Sequence, residues 1–252
     1  MKPLALVTGG QQGIGLGIAE ALTAQGFRLA IASLPPADDP VVVEAMARLG
    51  SEVCYYQHDL ADLAAIPTLL NRIEGDQGPL DALIQNAGVA AKVRGDMLEI
   101  TPENLDWIMG INLTGAFFLA QQVAKRMLAT TSPHYRSITF VTSVSARRAS
   151  PERADYCISK AAAAMVAQTL ALRLASHGIG VFELRPGIIE TGMTAGVKDK
   201  YTALIEGGLV PTGRWGRPTD IGQAAIPVVT GQLAFCTGAV IPVDGGLSIE
   251  RL

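Results

Sequence analysis

The chain has 252 residues, 49% hydrophobic and 17% charged, with a formal net charge of −3. That length suits one large α/β domain able to bury roughly three quarters of its unfolded surface without covalent staples. The charge gives no basic field for nucleic acid, and three scattered cysteines (Cys54, Cys157, Cys236) argue against a disulfide framework and for a reducing, cytoplasmic setting.

In chain order, Leu4–Thr8 reads as a buried strand, because Thr8-Gly9-Gly10 ends the apolar run too early for a signal segment. Helical spacing follows over 14–25, then a strand at Arg28–Ser33, a helix at Pro40–Leu49 and a strand at Val53–Gln57. A helix is predicted over 63–74, a strand over 80–85, and one long helix over 102–128. The remainder reads as a strand (137–142), a helix (154–177) closed by Gly178, a strand (180–184), a helix (219–230) and a last strand (239–243). No apolar run approaches a membrane span.

Apolar strands alternating with helices predict a single-domain, doubly wound parallel sheet of about seven strands with helices on both faces, over 1–252. The stretch 187–216, rich in Gly and Thr, is expected to be irregular and to act as a lid. The low charge of an Ala- and Gly-rich chain suggests surface hidden in an oligomer.

The first strand runs into Thr8-Gly9-Gly10-Gln11-Gln12-Gly13-Ile14-Gly15 as a helix begins, an arrangement that lets backbone N–H groups approach a pyrophosphate. Its spacing is G-x-x-x-G-x-G, and a tight turn without ligand is the alternative. Ser33 stands where an acid would hold a ribose, with no Arg or Lys beside it for a 2′-phosphate; the missing acid leans the choice toward NADP(H) over NAD(H). Asp38 and Asp39 come too late unless the loop folds back. Asp59-Leu60 is a candidate adenine contact or a simple helix cap, and Asn86-Ala87-Gly88 ends the fourth strand on the ligand-binding edge.

Tyr156 and Lys160 lie four residues apart, hence on one helix face. A phenol near pKa 10 needs a neighbouring cation to work as an acid–base group at neutral pH. Ser143 ends the fifth strand, 13 residues before Tyr156, placed to hydrogen-bond a substrate oxygen. It lacks the flanking glycines of a nucleophile elbow, and His58, His134 and His177 lack metal-ligand spacing, so no metal is expected.

Together these segments resemble the short-chain dehydrogenase/reductase superfamily over nearly the whole chain, and most of all the branch of 3-oxoacyl-carrier-protein reductases and sugar or polyol dehydrogenases. The resemblance implies an NAD(P)-dependent enzyme moving a hydride between nicotinamide and a ketone or secondary alcohol. It implies Gly9, Gln12, Gly13, Ile14 and Gly15 at the pyrophosphate, Asp59 and Leu60 at adenine, and Asn86, Ala87 and Gly88 beside them. It further implies Ser143, Tyr156 and Lys160 as the catalytic trio, and Asn112 relaying protons through water to Lys160. Pro186, Gly187, Ile189 and Thr191 would fix the nicotinamide, and a homotetramer (or homodimer) would pack through two long helices. Gln12 and His177 depart from the basic residues that carrier-protein reductases often show there. Arg147, Arg148 and Arg153 either meet an acidic or polyhydroxylated substrate or belong to a solvated loop. A non-catalytic NAD(P)-sensing protein on the same fold is the alternative function.

Overall fold

The computed structural model describes residues 2–250. Seven strands form one sheet: β1 (Leu4–Thr8), β2 (Arg28–Ser33), β3 (Val53–Gln57), β4 (Ala82–Gln85), β5 (Arg136–Val141), β6 (Ile179–Pro186) and β7 (Val240–Val243). All pairings are parallel, in the order β3-β2-β1-β4-β5-β6-β7. Strand residues alternate between two cores. Val7, Leu29 and Ile31 pack with Ile18 and Leu22 of α1 (Gly13–Ala24) and Ile221 and Val228 of α8 (Pro218–Val229). On the other face, Leu6 and Ala30 meet α3 (Ile66–Gln77), α5 (Ala116–Ala129) and α6 (Ala154–Leu174) through Leu70, Leu119 and Ala167. Helix α2 (Pro40–Leu49) packs beside α1, and its N-terminus is capped by Asp39, which accepts from Val41 N at 2.9 Å.

Three expectations need correction. The long helix of 102–128 is α4 (Pro102–Met109) and α5 joined by a π-helical turn, Gly110–Gly115. A Cβ on Gly115 would fall within 2.9 Å of the Leu60 carbonyl carbon, so the wider turn sits where the helix crosses the end of β3. The stretch 187–216 is not wholly irregular: it holds a 3-10 turn (Gly192–Val197) and α7 (Lys198–Glu206). One segment, Pro151–His177, is by length and composition apolar enough to cross a membrane, contrary to the expectation of no such run. It is α6 and its flanking turns, packed on β6 and α4 with Lys160 and Ser159 buried in its inward face.

Candidate active site

The chain crosses from β1 out to β3, then returns to β4 on the opposite side of β1, which opens a crevice at the carboxyl ends of β1 and β4. Side chains lock that edge. The amides of Asn86 and Ala87 donate to Thr8 Oγ1 at 3.0 and 2.9 Å, and Asn86 Nδ2 returns a bond to Thr8 O at 2.9 Å. A cleft of about 480 Å³ runs along it, lined by the 8–15 turn, Ser33, Asp59, Leu60, Asn86–Gly88, Tyr156, Lys160 and Thr191.

The turn fits a pyrophosphate. Helix α1 has no side-chain cap and no acid in its first turn, so its leading N–H groups stay available to an anion. Gly9 and Gly13 hold φ of +65° and +54°, where other residues are strained. A Cβ on Gly15 would overlap Gly9 O and lie 2.6 Å from Asn86 Nδ2. Gln11 Oε1 and His58 Nε2 are buried without partners on the same walls, which suits a polar ligand between them.

At the end of β2, Ser33 Oγ and Tyr55 Oη share a bond of 2.8 Å, and Tyr55 also donates to Pro35 O. Among the described residues Lys160 is the one Lys or Arg lining the cleft. Asp59 Oδ1 accepts from Ala61 N at 2.9 Å while Asp62 caps the 63–65 turn, so capping and a place on the cleft wall coexist at this corner. Burial lowers the His58 imidazole below its ordinary value, against upward pulls from Asp62 and Asp59.

Tyr156 and Lys160 share the inward face of α6, the ammonium 5.8 Å from the phenol ring centroid. Lys160 Nζ donates to Val141 O at 3.2 Å. Gly88 leaves it room, since a Cβ there would stand 3.3 Å from Nζ and 3.0 Å from Asn112 Oδ1. The π turn aims Asn112 at this loop: Oδ1 accepts from Val89 N at 2.8 Å, and Nδ2 donates to Val89 O and to Ser159 Oγ, both at 3.0 Å. Ser143 Oγ accepts from Ser145 N at 3.1 Å, which leaves its own proton to be donated on the Tyr156 side. Burial pushes the Tyr156 phenol up from 10.0; hydrogen bonding from Ser143 and the charges of Arg153 and Arg94 draw it back.

Burial also holds the Lys160 ammonium down to about 8, against a smaller upward pull from Glu183. An unfolded chain keeps that lysine charged up to 10.5, so between pH 8 and 10.5 the unfolded state binds more protons and stability rises with pH. In urea unfolding, the wild type is expected to gain about 2 kcal/mol on Lys160→Met between about pH 7.5 and pH 10. A constant difference would place the ammonium in water.

Beneath the site lies a pair that sequence reading passed over. Glu183 and Arg185, both on β6, form a buried two-pronged ion pair (2.8 and 3.0 Å), with Thr142 donating to the same carboxylate. Of the residues expected at the cofactor, Pro186, Gly187 and Ile189 do not line the cleft; Gly187 packs on Asp244, while Thr191 faces Gly13. Ser143 and Asn112 also lie off its wall, joined to it through Tyr156 and Gly88. No local sequence pattern marks His58, on the cleft wall beside Asp59, or Arg94, in the loop after β4.

A family model described as enoyl-(acyl carrier protein) reductase matches residues 9–248. The crystal structure of a 3-oxoacyl-[acyl-carrier protein] reductase from Brucella melitensis in complex with NAD superposes with a TM-score of 0.96 at 49% identity, covering 100% of this chain and 99% of that one. The 3-oxoacyl-[acyl-carrier-protein] reductase FabG of Haemophilus influenzae is 32% identical over 98% of both chains. A sorbitol dehydrogenase of Cereibacter sphaeroides is 31% identical over 96% of both.

Proposed function

The chain belongs to the short-chain dehydrogenase/reductase family, and from that premise we propose that Tyr156 passes the proton in the hydride transfer this NAD(P)-dependent oxidoreductase performs between nicotinamide and a ketone or secondary alcohol. The observation that carries the assignment is the half-buried Tyr156 and the buried Lys160 on one helix face, both lining the cleft that the 8–15 turn opens onto. The bound dinucleotide supplies or takes the hydride. In reduction, the Tyr156 hydroxyl donates its proton to the carbonyl oxygen, and the Ser143 hydroxyl hydrogen-bonds that oxygen as charge gathers on it. Lys160 places a cation beside the phenol and contacts the cofactor; Asn112 holds the 88–89 backbone against both. The 187–216 segment, with Thr191 and Met193 on the cleft wall, serves as the lid of a single 1–252 domain.

For the cofactor, the missing acid at Ser33 leans toward NADP(H), but among the described residues no Lys or Arg lines the cleft beside Ser33, Leu34 and Pro35, and that weighs more. A 2′-phosphate would find no counter-charge there, since burial favours neutral His58. We infer NAD(H), in keeping with the NAD bound to the Brucella melitensis relative. A screen of both reduced cofactors against ketones, keto-sugars and 3-oxoacyl thioesters is expected to give at least about tenfold higher kcat/KM with NADH. Equal or better use of NADPH would reverse the cofactor inference.

The substrate class that the relatives suggest is a 3-oxoacyl, sugar or polyol compound. We also propose a homotetramer, or at least a homodimer, packed through α5 and α6. Ile158, Met165 and Leu172 form a stripe along α6 at seven-residue spacing, 51, 58 and 84% exposed in the single chain. Leu172→Glu with Met165→Glu is expected to lower the mass measured by light scattering to a smaller species. A wild-type monomer would contradict the assembly. The free cysteines, Cys54 and Cys236 exposed among them, support a reducing cytoplasmic location.

A further inference from the structure

Next to Tyr156 stand two cations that proton transfer does not require. The loop after β4 and the 151–153 turn meet through one backbone bond, Gly95 N donating to Glu152 O at 3.3 Å. The residues flanking that bond are Arg94 and Arg153. The Arg153 guanidinium carbon lies 5.8 Å from the centroid of the Tyr156 ring, and Arg94 adjoins the same turn through the Gly95–Glu152 bond.

Neither guanidinium has a carboxylate within ion-pair distance among the described residues. Each nearby acid is committed elsewhere: Glu152 faces Lys200 at 3.9 Å, Asp155 accepts from the Tyr156 amide at 2.7 Å, and Asp96 caps Leu98 N at 3.0 Å. Most surface arginines need no such explanation. Two without a carboxylate partner, on adjoining loops beside one reacting group, leave positive charge there for an anion to meet. A guanidinium fork matches an oxyanion with two parallel N–H bonds.

We propose that Arg94 and Arg153 form an anion clamp, so that this enzyme's substrate carries a carboxylate or phosphate close to the carbonyl or carbinol carbon that reacts. The proposal rests on Tyr156 meeting that oxygen. It separates this chain from enzymes whose substrates are neutral around the reacting carbon. The clamp orients the substrate as well as attracting it, because the two arginines come from different loops and fix the anion from two sides.

The test compares matched pairs differing in one charge: 3-hydroxybutyrate against its methyl ester, 2-hydroxy acids against their methyl esters, and dihydroxyacetone phosphate against dihydroxyacetone. Each is assayed at low ionic strength with NAD(H), in the wild type and in Arg94→Gln/Arg153→Gln. The expected wild-type result is at least about tenfold higher kcat/KM for the anionic member of one pair, carried mainly by KM, with the pair showing whether carboxylate or phosphate is taken. In the double variant that ratio is expected to fall by about tenfold or more, and Arg153→Lys to restore part of it. Because the readout is a ratio, any shared effect of the lost charges on Tyr156 cancels. The proposal is overturned if no anionic compound is turned over, if neutral members are used as well or better, or if the ratio survives in the double variant. Neutral ketones reduced in a Tyr156-dependent manner would then still uphold the reaction class.

Discussion

Tyr156→Phe is expected to lower turnover by a factor on the order of 10² to 10⁴ while cofactor affinity changes no more than about twofold. The substitution removes one oxygen. The ring keeps its half-buried place on α6, with Lys160 still held by Val141 O, so the cleft keeps its shape. In the proposed mechanism, what disappears is the proton that Tyr156 passes to the forming alcohol oxygen. The loss therefore belongs in kcat, in both reaction directions, and fluorescence titration with NADH separates it from weakened binding. A variant that keeps full turnover removes Tyr156 from the chemistry.

Gly15→Val is expected to weaken dinucleotide binding by at least about a thousandfold, beyond what a lost contact would explain. The added atoms collide with backbone, at Gly9 O, and with Asn86 Nδ2, the group that ties β1 to β4. Neither can step aside without opening the edge that positions the phosphates. Isothermal titration with NADH measures the loss, and circular dichroism checks that the sheet survives. Binding within tenfold of wild type would mean that the pyrophosphate does not lie on this turn.

The sheet was legible because its strands are short apolar runs whose alternate residues feed two cores, as Leu6 and Val7 do in neighbouring positions. Tyr156 and Lys160 were legible because four residues in a helix fix a shared face whatever surrounds it. The π turn was not: over a single turn its apolar spacing reads like that of an ordinary helix, and only the crossing of Gly115 over Leu60 distinguishes it. Helix α7 was hidden by the glycines and threonines on either side of it. Arg94 and Glu183 were invisible for another reason. Arg94 faces Tyr156 from far along the chain; Glu183 and Arg185 are strand neighbours, but their burial and the contact with Thr142 come only from the fold. Phosphate turns and helix spacings are local devices; the groups that tune a tyrosine are assembled by the fold.

The most direct measurement follows the hydride itself. Reduced cofactor carrying deuterium at C4 of the nicotinamide is incubated with the enzyme and the ketone it reduces best, and the alcohol is analysed by mass spectrometry. The prediction is one deuterium on the carbinol carbon, with turnover lost in Tyr156→Phe. Tight cofactor binding with no deuterium transferred to any ketone, keto-sugar or 3-oxoacyl thioester would contradict the account and leave a protein that senses the dinucleotide without using it.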